Sequence, residues 1–150
     1  MPMNTGYRKD KSTGSEEFDE VKYKSAIGAL LYLCNNTRPD ISASVSILAQ
    51  QTKGPLNRDW VEVKRVFKYL KETIDLKLKI GYEGDNKTDV VKVYADADWA
   101  SDLQDRKSNS GDCIFLNNML VSWQCKKQQC VSLSSTEAEY TSVSRNWFVI

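Results

Sequence analysis

Apolar positions recur three and four residues apart through YKSAIGALLYLCNN, where Ala26, Ile27, Leu30, Leu31 and Cys34 gather on one helical face. Asn35 and Asn36 close that segment, and Pro39 marks a break before the next one. DISASVSILAQQT resumes the helical period through Ile41, Val45, Leu48 and Ala49, with Asp40 near its cap. Gly54-Pro55 breaks the chain again. The strongest helical pattern comes next, NRDWVEVKRVFKYLKETI, with Trp60, Val63, Phe67 and Leu70 on one stripe and Asn57 or Asp59 able to cap it.

At Asp75 the period drops from 3.6 to 2. In DLKLKIGYEG, Leu76, Leu78, Ile80 and Tyr82 alternate with Lys77, Lys79 and Gly81, the pattern of a half-buried strand. Residues 84–88, GDNKT, read as a turn, and VVKVYADADWA as a second strand. A polar loop leads to Ser110-Gly111. CIFLNNMLVSW then reads as a hairpin, because Asn117-Asn118 tolerates the positive φ of a two-residue turn. VSLSSTEAEYTSVS passes from strand to helix at its serines. The pattern therefore predicts an α+β chain in three parts: a flexible lead-in over 1–20, a helical segment over 21–74, and strands followed by a helix over 75–150.

Composition narrows the chemistry more than the fold. Apolar residues make 41% of the 150 and charged residues 27%, enough for a packed core, and the net charge is only +1. No apolar run reaches the roughly 18 residues that span a bilayer, and the N-terminus has no signal-peptide pattern, so neither a membrane partner nor secretion is expected. Four cysteines occur without a CxxC pair, and there is no histidine. Zinc binding is thereby disfavoured, Cys–His and Ser–His–Asp catalysis within the chain is excluded, and the thiols read as reduced. Carboxylates remain as the acid–base and metal-binding groups.

The carboxylates of VYADADWASD are oddly placed. On a strand, Tyr94, Asp96 and Asp98 share one face, while Val93, Ala95, Ala97 and Trp99 share the other. Three readings compete. An EF-hand fails on its own geometry, because position 6 is Ser101 and position 12 is Lys107. The second is an edge strand whose aspartates resist sheet aggregation. The third is a divalent-metal site completed from elsewhere, and SSTEAEY offers Glu137 and Glu139. Ser134 with Glu137, or Thr136 with Glu139, fits the capping-box spacing. Residues i and i+2 of a helix do not share a face, so only one glutamate can address the strand. Oxygen donors of this kind suit Mg²⁺ or Mn²⁺.

A strand bearing Asp, a hairpin, a further strand and a helix bearing Glu is the opening of the ribonuclease H fold. YKSAIGALLYLCNNTRPDISASVSILAQ, W-x-x-x-K-R-x-x-x-YLK, YADADWASD, DRKSNSG and LSSTEAEY, in that order and spacing, resemble the Pol polyprotein of Ty1/copia-type LTR retrotransposons. The resemblance implies that residues 21–74 are a reverse transcriptase thumb and connection segment. Residues 75–150 would be an incomplete ribonuclease H-like domain. It further implies Asp96 and Glu139 as catalytic metal ligands, with Asp98 auxiliary and Glu137 the cap. Two Mg²⁺ or Mn²⁺ ions would serve cleavage of the RNA strand of an RNA–DNA hybrid. The implied partners are that hybrid and the upstream reverse transcriptase domain, in a cytoplasmic virus-like particle or the nucleus.

The resemblance also implies two later aspartates that the 150 residues do not supply, and the tail RNWFVI departs from the family pattern. The fragment alone is thus expected to be inactive, the alternative being a non-catalytic relic or a hybrid-binding remnant. Arg106, Lys107, Lys126 and Lys127 flank the acidic strand as candidate phosphate contacts. Lys64, Arg65, Lys68 and Lys71 form a basic stripe that reads either as a phosphate surface or as a solvated face partnered by Glu62 and Glu72. Ser108 and Ser110 read as loop chemistry, and Trp99 and Trp123 as core.

Overall fold

Asp19 starts the first helix: its carboxylate accepts the Val21 and Lys22 N–H groups that have no partner inside the helix. The computed structural model describes residues 1–4, 6–7, 16–81, 89–102 and 105–144. It is an α+β chain in two compact units, Met1–Lys77 and Leu78–Ile150. The first holds α1 (Glu20–Asn36), a 3₁₀ turn (Pro39–Ile41), α2 (Ser42–Ala49) and α3 (Asn57–Glu72). The second holds β1 (Val91–Asp98), β2 (Asn109–Leu116), β3 (Met119–Lys127) and α4 (Ser135–Ser144).

In the helical unit Tyr23, Ile27, Leu30 and Cys34 form the buried stripe of α1, at spacings of four, three and four, and Ile41, Val45 and Leu48 meet it. On α3 the buried face is Asp59, Glu62, Val63 and Val66, rotated away from the expected stripe, and Phe67 is exposed. The cause is polar. Asp59 accepts from the Leu56 N–H at 2.8 Å and from the Tyr7 hydroxyl at 2.7 Å. Glu62 accepts the Asn4 N–H at 2.9 Å and pairs with Arg65. Burial, reinforced by Asp59, raises the Tyr7 hydroxyl far above its ordinary range.

Asp59 is therefore the capping residue of the two foreseen, while Asn57 bonds Glu16 instead. Trp60 stacks on Phe18 with ring centroids 4.5 Å apart, and the Lys22 ammonium lies over both rings. A β-bridge joins Glu17 to Leu56. Within residues 1–20, the described Met3, Tyr7 and Phe18 pack on the helical core.

Asp40 does not cap α2. Arg38 takes both its carboxylate oxygens, at 3.0 and 2.8 Å, and also reaches Thr73. Those bonds from Arg38 hold the Asp40 carboxyl below its usual range despite partial burial. Along α3, exposed Arg65 pairs with buried Glu62, and Lys68 lies 3.8 Å from exposed Glu72. Among the described residues no helix is long and apolar enough to cross a membrane.

The sheet is antiparallel in the order β1-β2-β3. Its hairpin turns on Asn117 and Asn118, at φ 50° and 66°, as the dipeptide predicts. Asp96 lies opposite Gly111 and Tyr94 opposite Cys113, with an irregularity at Ile114/Phe115 between β2 and β3. Two expected strands are missing among the described residues. Residues 76–81 form none: Leu76 and Ile80 are exposed, and alternation without a neighbouring strand leaves the backbone without a ladder. Residues 131–133 form none because the chain there bends into the α4 cap, leaving Leu133 exposed. The turn expected at 84–88 and the tail 145–150 lie outside the described residues.

Along β2, Ser110, Asp112 and Ile114 are buried while Gly111 and Cys113 are half-buried, and α4 packs on β1 and β2 with Ala138 and Ser142 buried. On the other face Tyr94 meets Phe115 edge to face at 5.6 Å.

Leu48 is fully buried in the helical core. Leu48→Ala is expected to lower stability by about 2–5 kcal/mol, read as an earlier urea midpoint of the helical circular-dichroism signal.

Candidate functional site

β1 carries Asp96 and Asp98 exposed on the same face as Tyr94, with Ala95 and Ala97 half-buried between them. α4 brings a third carboxylate. Glu139 accepts the Ala97 N–H at 3.3 Å, and three residues on, the Ser142 hydroxyl donates to the Asp96 carbonyl at 2.9 Å. Both ends of the Asp96–Ala97 peptide are thus bonded to α4.

Glu137 turns the other way. Its N–H donates to Ser134 Oγ at 3.1 Å, and its carboxylate accepts the Leu133 N–H at 2.7 Å. Of the two capping pairs open in the sequence, Ser134 with Glu137 forms. That leaves Glu139 to face β1. Asp96 and Asp98 lie within a regular strand, which removes the EF-hand reading, whereas β1 is an edge of the described sheet, as the edge-strand reading requires.

The group that sequence reasoning missed is Gln128. It is buried just beyond β3, and its Nε2 donates to Ser110 Oγ at 2.8 Å and to the Ala138 carbonyl at 3.0 Å. Its Oε1 accepts from Ser132 Oγ at 3.0 Å, and its backbone N–H donates to the Ser108 carbonyl at 2.8 Å. A glutamine in the polar run KKQQ leaves no periodic signal, so only its burial reveals it. Ser108 is also buried, accepting the N–H of Ala100, whose φ of 48° turns the chain out of β1. Ser108 and Ser110 are therefore loop and sheet fasteners. Trp99 is half-exposed rather than core, with its indole N–H donated to the Ser132 carbonyl at 3.1 Å.

The basic candidates separate. Lys127 is committed to an ion pair with Asp102 and another with Asp105, the latter at 2.9 Å, so it is an internal tie rather than an open phosphate contact. Arg106 and Lys126 are exposed, and Lys107 is half-buried with its N–H on Asp105. Burial opposes charge on Lys127, but its bonds to Asp102 and Asp105 outweigh that and raise its pKa. The Lys127 bond is also the main cause that lowers the Asp105 carboxyl.

Oxygen donors of this type suit a hard divalent cation. Their number does not complete a site: among the described residues no three His, Cys, Asp or Glu side chains converge to hold a metal ion. Fold and site together define an α+β protein with an acidic edge strand and a helix-borne glutamate bonded to it.

No family model matches the chain, and no solved structure does. Curated relatives do. It is 39% identical over 145 residues to the retrovirus-related Pol polyprotein from transposon RE2 of Arabidopsis thaliana, covering 95% of this chain and 10% of that one. It is 38% identical over 125 residues to the Pol polyprotein from transposon TNT 1-94 of Nicotiana tabacum, covering 83% and 9%. It is also 44% identical over 124 residues to a protein named secreted RxLR effector protein 161 of Plasmopara viticola, covering 83% and 85%. The chain belongs to the retrovirus-related Pol polyproteins of copia-type transposons, and spans about a tenth of their length.

The Lys127 tie sets a pH dependence. Asp105, lowered in the folded chain, contributes stability above the ordinary carboxylate range that is lost as pH falls through its folded value. Lys127, raised, contributes below the ordinary lysine range and loses it as pH rises through its folded value. Melting temperatures recorded from acid to neutral pH are expected to fall more gently on the acid side for Lys127→Met than for the natural chain.

Proposed function

We propose that the second unit is the first part of a ribonuclease H-type domain. In the intact Pol polyprotein it would serve cleavage of the RNA strand of RNA–DNA hybrids. The carrying observation is the division of labour on α4, where Glu137 is spent on the helix cap and Glu139 bonds the residue next to Asp96. A carboxylate of α4 thereby meets β1 at the residue beside Asp96. Asp96 and Glu139 would hold Mg²⁺ or Mn²⁺, with Asp98 auxiliary on the same face. When bound, such ions activate water and stabilise the leaving oxygen in phosphodiester cleavage.

The chain's own residues do the rest. The α4 cap and the bond to the Ala97 N–H hold Glu139 against β1, and exposed Arg106 and Lys126 offer cations to a phosphate backbone. In this reading the helical unit is the thumb and connection portion, and the upstream reverse transcriptase domain is the partner. A second reading is a hybrid-binding module without catalysis, which the exposed Arg106 and Lys126 would serve.

Adding Mn²⁺ to the isotope-labelled 150-residue protein is expected to broaden the amides of Asp96, Ala97 and Glu139 first. Asp96→Asn should weaken that response by roughly ten- to a hundredfold in metal concentration. The same protein should bind a hybrid in a salt-sensitive way without cutting it. Broadening elsewhere, or none, contradicts the metal assignment, and hybrid cleavage that survives Asp96→Asn contradicts the site.

A further inference from the structure

Few side chains on α4 bury enough to fix how the helix is rotated. Its ten residues bury only Ala138 and Ser142, both small, while Tyr140 and Val143 are largely exposed. Apolar packing alone therefore leaves the direction of Glu139 weakly determined. Polar bonds determine it, and the most buried of them converge on Gln128.

A primary amide offers two donors and an acceptor from one uncharged group, and here all three functions are used. The donors reach β2 through Ser110 and α4 through the Ala138 carbonyl, and the acceptor takes Ser132 on the approach to α4. The Ala138 carbonyl belongs to the peptide whose N–H is that of Glu139. Gln128 thus clamps the backbone one residue before the carboxylate, on the buried side, while Glu139 reaches Ala97 from the other end of the same turn.

We propose that Gln128 is a positioning residue for Glu139, setting the rotation of α4 so that this carboxylate meets β1 beside Asp96. Its meaning for cleavage rests on the reading of Asp96 and Glu139 as the metal-holding pair. The placement itself stands independently of that reading and has its own reporter. The Ala97 amide proton donates to the Glu139 carboxylate, so its exchange with solvent is slowed while that bond holds.

The test follows hydrogen exchange of the Ala97 amide of the 150-residue protein at neutral pH, in the natural chain, in Gln128→Leu and in Gln128→Glu. The natural chain is expected to show protection that Glu139→Ala abolishes. Gln128→Leu is expected to lose that protection while the β2–β3 amides keep theirs. Should Leu unfold the unit by leaving Ser110, Ser132 and Ala138 unbonded, Gln128→Glu still accepts from both serines. Its carboxylate cannot donate to the Ala138 carbonyl at neutral pH, so it is expected to lose the Ala97 signature in a folded protein. Natural protection at Ala97 in either folded variant overturns the proposal. Mn²⁺ added to the same samples separates the two ideas: no broadening at Asp96 in the natural chain defeats the metal reading and leaves the positioning result standing.

Discussion

The sheet unit depends on how a short, weakly apolar helix is held to two strands. α4 has too little buried hydrocarbon to define its own orientation, so hydrogen bonds to its neighbours define it. Gln128 to Ala138, Ser142 to the Asp96 carbonyl and Glu139 to the Ala97 N–H act on one face of ten residues. Buried polar groups of this kind stabilise only when every member is satisfied. Those around Gln128 are satisfied, which converts a loosely specified contact into one with a fixed rotation. The direction of Glu139 is a consequence of that rotation.

The helical unit solves a similar problem differently. Its apolar core, from Tyr23 through Val66, is large enough to orient three helices. Polar groups then choose the rotation of α3, because Asp59 and Glu62 are drawn inward by the N-terminal segment. This is why the stripe through Trp60 and Phe67 is displaced: periodicity registers hydrophobicity and does not see that a carboxylate has been given donors. The same blindness applies to Asp40, placed near a cap by its position but claimed by Arg38 two residues earlier.

Where local chemistry decides, the sequence is legible. Asn117-Asn118 specifies the hairpin, the alternation of Val93, Ala95 and Ala97 with Tyr94, Asp96 and Asp98 specifies β1, and Ser134 with Glu137 specifies the α4 cap. Where a partner decides, it is not. Leu76 through Ile80 alternate like a strand but find no strand beside them among the described residues. Lys127 looks like a surface cation and proves to be tied to Asp102 and Asp105 across sequence distance. Gln128 is invisible because nothing in KKQQ distinguishes the residue that turns inward. Motif resemblance supplies what spacing leaves open, choosing Glu139 over Glu137; in the structure Glu137 takes the cap and Glu139 bonds the Ala97 N–H.

If Asp96 and Glu139 are brought together to hold a divalent cation, the ion itself should be visible between them. Crystals of the 150-residue protein grown with Mn²⁺, measured at the manganese absorption edge, test this most directly. The expected result is an anomalous peak bounded by the carboxylates of Asp96 and Glu139, with Gln128 still bonded to the Ala138 carbonyl. A well-ordered site with Mn²⁺ bound elsewhere, or with no peak between those two side chains, would contradict the assignment.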